Sequence, residues 1–205
     1  MRGFYGWLRK VRFGEPIIVV SGLPRSGTSM AMKMLDAGGV EVVTDGAREA
    51  DIDNPKGYFE DDRVLELAKN DDKSWLHEAR GKAVKIISYL VRHLPPDNNY
   101  KVVFMAREID EVLASQAKML ERRGEENQGD DEQMRTLFEG DLWRTRYFIK
   151  HNRHVESLEL GYRQVLDDPR AQVRQLASFI GGDLDLEAMA AVVDPSLYRN
   201  RSTSM

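Results

Sequence analysis

Cysteine is absent from the 205-residue chain. Disulfides, thiol nucleophiles and cysteine-ligated zinc are thereby excluded, and a reducing compartment, the cytoplasm, is the expectation. No apolar run approaches the roughly 20 residues of a membrane span. The first residues also lack the continuous apolar stretch of a secretory leader. Charge of one sign is missing in bulk: 30 Lys and Arg stand against 34 Asp and Glu, a net −4 that argues against a general nucleic-acid binder while leaving room for a local basic pocket. The four histidines, His77, His93, His151 and His154, are scattered, and no metal is expected. With 41% hydrophobic and 31% charged residues, the chain reads as a soluble globular protein, and its length suits one domain over residues 1–205.

What is present is concentrated between Pro16 and Leu35, PIIVVSGLPRSGTSMAMKML. Ile17 to Val20 is a short apolar, mostly β-branched run, the composition of a strand buried on both faces. A loop with Gly22, Pro24 and Gly27 follows, then Thr28 and Ser29, good residues for starting a helix. Met30, Ala31, Met34 and Leu35 form an apolar stripe, and Gly38-Gly39 ends the helix. Strand, glycine loop and helix N-terminus together make an anion site, because free backbone N–H groups converge where the helix dipole is positive. Gly22 and Gly27 have the spacing of the Walker A loop, but Thr28 stands where that loop has Lys, and Arg25 supplies the cation. A second strand, Lys101 to Ala106, runs into Arg107 rather than into a Mg²⁺-holding carboxylate. The loop therefore suits a phosphate-like group without the usual metal machinery.

GLPRSGTS resembles the 5′-phosphosulfate loop of the sulfotransferases that use PAPS (3′-phosphoadenosine 5′-phosphosulfate). VVFMAREIDEVLAS is similar to that family's second signature, a strand ending in Arg107 with Ser115 eight residues later in the following helix. LELGYRQVLDDPRAQVRQLASFIGG, Leu158 to Gly182, resembles its later strand, Tyr–acidic turn, Asp-Pro and helix. The three matches run in the family's order. The resemblance implies a P-loop-type three-layer α/β/α domain with a mostly parallel central sheet. It implies PAPS as cofactor, PAP as product and no metal. The 5′-phosphosulfate would be held by Pro24, Arg25, Ser26, Gly27, Thr28 and Ser29, and the 3′-phosphate by Arg107 and Ser115. By position alone, the C-terminal Arg199 and Arg201 would close over that same phosphate.

The reaction so implied moves a sulfuryl group from PAPS to a hydroxyl or amine of an acceptor. Arg25 is the candidate for stabilising the leaving bridge oxygen; many family members carry Lys there, and Arg, which does not readily give up a proton, does electrostatic work only. The small-molecule branch takes its base from a His after the third strand, but here that stretch is VKIISYL, with Lys85 and no His. That branch also stacks a Trp on adenine where this chain has Met30. Likeness to a bacterial-type or Golgi-type branch follows, with the base drawn from Asp45, Glu49, Asp51, Asp53 or Glu60, and Asp45 and Glu60 favoured. Two other readings stand beside this one: a P-loop kinase-like phosphoryl transferase, and a PAP- or PAPS-binding protein without turnover.

Elsewhere, periodicity places strands at Val40–Val43, Ala83–Ile87 and His154–Leu160. Helices are expected from Glu60 to Asn70 with Val64, Leu65 and Leu67 inward, after Arg107, from Gln133 to His151, and after Pro169. The acidic segment Thr44 to Phe59 and the charged loop around Gly124 are expected to shape the acceptor pocket. MRGFYGWLRKVRFGE mixes aromatics with Arg and Lys, and reads either as an arm packed beside the first strand or as a peripheral membrane contact.

Overall fold

The structure, a computed structural model, describes residues 2–45, 59–124 and 130–194. Arg199 and Arg201 lie outside the described residues, as do Glu49, Asp51 and Asp53.

Strand β1 (Ile17–Gly22) is buried at every position, as its unbroken apolar run requires. It pairs in parallel with β2 (Ala83–Lys85) on one side and β3 (Tyr100–Ala106) on the other, and β3 pairs in parallel with β4 (Val155–Gly161). The order β2-β1-β3-β4 means that the chain leaves β1 in one direction and returns to its other side for β3. At such a reversal the loops following the two strands diverge at their carboxyl ends and leave a crevice. The segments after Gly22 and after Ala106 border it.

Side chains alternate across the sheet with period two. Ile18, Val20, Val103 and Met105 point to the face covered by α2 (Thr28–Ala37), α5 (Tyr162–Asp167), α6 (Pro169–Ile180) and α7 (Leu186–Ala191). Ile17, Val19, Val102 and Phe104 point to the opposite face, under short 3-10 turns and the end of α4 (Asp131–His151). Each fully buried Ile or Val contributes about 1.5–3 kcal/mol relative to exposure, so the two clusters fix a three-layer α/β/α sandwich. In α2 the buried set is Thr28, Ala31, Met32, Met34 and Leu35, so Met32 joins the expected stripe and Met30 is only partly buried. Lys101, on β3 and on the same face as Val103, donates to the carbonyls of Phe179 (2.8 Å) and Ile180 (2.7 Å), closing the C-terminal turn of α6.

Several expectations are corrected. Val40–Val43 is not a strand: only Val42 bridges Ala83, because the chain turns away at Thr44 and Asp45 to meet Glu60. The third strand stops at Lys85, and Ser88–His93 is a 3-10 turn. The expected helix Glu60–Asn70 contracts to a 3-10 turn over Asp62–Glu66, capped by Asp61. With three residues per turn, Val64 and Leu67 share the inner face and Leu65 points outward, 54% exposed. The helix after Arg107, α3 (Ile109–Arg123), continues through the charged ERR to a left-handed Gly124. The N-terminal segment forms α1 (Arg2–Phe13), whose Arg9 donates to the carbonyls of Asn98 and Pro96 beside the start of β3.

Candidate active site

The crevice is built around the β1–α2 loop. Gly22 aligns with Met105 across the β1–β3 pair, and a methyl at Gly22 would fall 2.4 Å from Ser26 Oγ and 2.6 Å from the Met105 carbonyl oxygen. Gly27, at φ +99°, caps α2, and a methyl there would strike the Tyr162 ring at 2.5 Å. The loop is thus pressed onto β3 and onto the first residue of α5, and only glycine permits either approach. Arg25, at φ +66°, is a non-glycine residue in the left-handed region.

The backbone donors are arranged for an anion. Ser26 N–H bonds to the Leu23 carbonyl, and Met30 and Ala31 N–H bond to the Gly27 carbonyl. The N–H groups of Gly27, Thr28 and Ser29, at the head of α2, find no acceptor among the described residues, as the first turn of a helix dictates. Ser26 Oγ is fully buried without a hydrogen-bond partner among them. A buried, unsatisfied hydroxyl costs about 1–3 kcal/mol. Pro24 follows buried Leu23 and leads the chain into the turn.

Two further cations reach this loop. Lys85 closes β2, in register with Val20, and so emerges beside the loop after β1. Its Nζ lies 3.4 Å from Ser29 Oγ and 3.1 Å from Glu60 Oε1, with its side chain 17% exposed. Arg107 follows β3; its Nη1 donates to the Arg25 carbonyl at 2.9 Å, and its Nε to Glu111 Oε2 at 3.1 Å. Its guanidinium lies 4.3 Å over the Tyr162 ring, and Arg163 approaches the other Glu111 oxygen at 3.6 Å. Arg25 Nε in turn donates to Ser115 Oγ at 3.2 Å. The structure therefore brings Arg25, Ser26, Gly27, Thr28, Ser29, Arg107 and Ser115 together, although they come from segments some eighty residues apart in the chain.

Asp45 and Glu60 also meet. Thr44 Oγ1 and Asp45 N–H both donate to the Glu60 carbonyl, at 3.1 Å each, and Asp45 Oδ2 accepts from Asp62 N–H at 2.8 Å. Asp45 is thus used within the turn, whereas Glu60 faces Lys85 and, through it, the head of α2. Neighbouring Asp61 is held below the usual carboxylate range by the Arg63 side chain. Sequence reasoning noted Lys85 only as the residue of a stretch without His. The parallel register of β1 and β2, which places their last residues side by side, is the signal that finds it. Glu111 is signalled by its i, i+4 spacing from Arg107, and Tyr162 falls in the Tyr–acidic turn of the third resemblance, but neither signal says that the two hold Arg107 at the loop.

The chain matches the family model described as the sulfotransferase domain over residues 15–204. No match is found among curated proteins. Among solved structures, the sulfotransferase domain from the curacin biosynthetic pathway is 12% identical, with 93% of each chain covered and a TM-score of 0.54, which shows a shared fold. A sulfotransferase from Alicyclobacillus acidocaldarius is 14% identical, with 91% of this chain and 99% of that chain covered and a TM-score of 0.49. Sulfotransferase STF9 from Mycobacterium avium is 14% identical, with 94% and 71% covered and a TM-score of 0.44.

Proposed function

Because the chain belongs to the sulfotransferase domain family, we propose that it transfers a sulfuryl group from PAPS to a hydroxyl or amine of an acceptor. The observation that supports this most is the head of α2. Three backbone N–H groups and the buried Ser26 hydroxyl, all without a hydrogen-bond partner among the described residues, share one turn with Arg25, and Lys85 stands beside it. These donors fit the 5′-phosphosulfate of PAPS, which supplies the sulfuryl group and a phosphate leaving group. The Gly27, Thr28 and Ser29 N–H groups and Ser26 Oγ hold the anionic oxygens. Arg25 and Lys85 stand where negative charge grows as the bridging S–O bond breaks, and donors fixed before the reaction need no reorganisation at that moment. Ser115, bonded to Arg25, borders the side assigned to the 3′-phosphate. As the new S–O bond forms, Glu60 takes the acceptor's proton, its carboxylate oriented toward the loop by Lys85. Asp45 holds the turn that carries Glu60. In the C-terminal tail, Arg199 and Arg201 are assigned to the 3′-phosphate by position in the sequence alone.

Calorimetric titration with PAP, and separately with ATP and Mg²⁺, tests the reading. Micromolar or tighter PAP binding without metal, with ATP–Mg²⁺ much weaker, is the expected result. The kinase-like alternative is favoured by the opposite order, and Arg107 in place of a carboxylate after β3 weighs against it.

A further inference from the structure

Arg107 occupies the position that, by resemblance, binds the nucleotide's 3′-phosphate, yet its surroundings describe another task. Its side chain is 7% exposed and that of Glu111 is 3% exposed. Nε is engaged by Glu111, Nη1 by the main-chain carbonyl of Arg25, and the guanidinium plane by Tyr162. Tyr162 is also the ring against which Gly27 is packed. Glu111 in turn faces a second cation, Arg163. The residue gripped by this assembly is Arg25, the one loop residue in the left-handed region that is not glycine. Holding its carbonyl turns the Arg25 side chain toward Ser115 and leaves the Gly27–Ser29 amides facing the crevice.

We propose that Arg107 and Glu111 are positioning residues for the β1–α2 loop: the pair locks the Arg25 peptide, so that 5′-group binding depends on Arg107 whether or not the nucleotide carries a 3′-phosphate. The inference rests on the PAPS reading, and it differs from a direct 3′-phosphate role in a sign. If Arg107 chiefly served the 3′-phosphate, Glu111 would compete with that phosphate, and removing its charge would tighten PAP binding. If the pair is a latch, removing the charge loosens the loop and weakens binding.

The test titrates PAP and ADP without metal, ADP having the 5′-diphosphate but no 3′-phosphate, against the wild type, Glu111→Gln and Arg107→Lys. The loss of one charge-assisted contact corresponds to about a tenfold fall in affinity. A fall of that order for both nucleotides alike in both variants is the expected result. Tighter PAP binding in Glu111→Gln, or an Arg107→Lys variant that loses PAP affinity and keeps that for ADP, overturns the proposal. Hydrogen exchange of the ligand-free proteins gives a readout without nucleotide. The Ser26, Met30 and Ala31 amides should exchange about tenfold faster in both variants while the β3 amides stay protected, and wild-type rates there overturn the latch. Failure of the wild type to bind PAP refutes the PAPS reading instead, and leaves the exchange result to decide the latch.

Discussion

At the scale of single residues, the account turns on a few side chains around one loop. Lys85 is assigned electrostatic work beside Ser29, at the end of a three-residue strand and partly open to solvent. Its replacement by Met should leave the thermal midpoint within a few degrees and lower sulfuryl transfer from PAPS by about 10²- to 10³-fold, the usual cost of losing one preorganised donor. Steady-state rates beside a melting curve check this, and an unchanged rate removes Lys85 from the site. Gly27→Ala acts through the backbone. It places a methyl 2.5 Å from the Tyr162 ring at φ +99°, so both strain and clash oppose it. A stability loss of about 1–3 kcal/mol in urea unfolding, together with loss of PAP binding, is expected. Wild-type stability would mean that the loop is not pressed onto α5.

At the scale of elements, legibility in the sequence followed the strength of the local signal. Strand β1 and the loop after it were readable because an unbroken apolar run, a glycine loop and a helix start fall within twenty residues. The α6 boundary was readable because Asp168-Pro169 supplies both the cap and the first-turn proline. Val40–Val43 misled because three valines in four residues satisfy strand propensity, while a lone bridge at the edge of β2 is all that the turn toward Glu60 allows. The 3-10 turn at Asp62–Glu66 carries the same apolar residues as a helix, and only the exposure of Leu65 separates the two periods. The loop residues and Arg107 could be named in advance as candidates, and the structure brings them together. The pairing of Arg107 with Glu111 has a local i, i+4 spacing, whereas the contact of Arg107 with the Arg25 carbonyl and the reach of Lys85 depend on strand register, which no local pattern encodes. The α6 cap gives a prediction of its own: Asp168 accepts from Ala171 N–H at 3.0 Å. Asp168→Ala should cost about 1 kcal/mol by urea unfolding with PAP affinity unchanged, and a null effect would mean that the cap contributes nothing.

At the scale of the whole molecule, the reversal of strand order between β1 and β3 places one crevice over two sheet faces that are packed independently. No helix among the described residues is long and apolar enough to cross a membrane. The face opposite α2 contains an ionisable group, His154, buried between Tyr100 and Phe148, with Nε2 lacking a partner among the described residues. Burial, with the nearby Arg9 charge, holds its pKa below the ordinary value of 6.5. The unfolded chain therefore takes up a proton at a higher pH than the folded one. The stability tied to the neutral ring is fully present above about pH 6.5 and is lost as pH falls from there toward the folded-state value. Urea midpoints should fall between pH 7.5 and 5.5, and His154→Phe should flatten part of that slope, His93, also held below its ordinary value by burial, contributing in the same direction. An equal slope in the variant would assign it to other groups. The central claim, that the head of α2 receives the 5′ end of PAPS, is tested most directly by a crystal structure of the protein soaked with PAP. The account predicts the 5′-phosphate within hydrogen-bond distance of the Gly27, Thr28 and Ser29 N–H groups and of Ser26 Oγ. PAP bound elsewhere, or a loop left empty at saturating PAP, would contradict it.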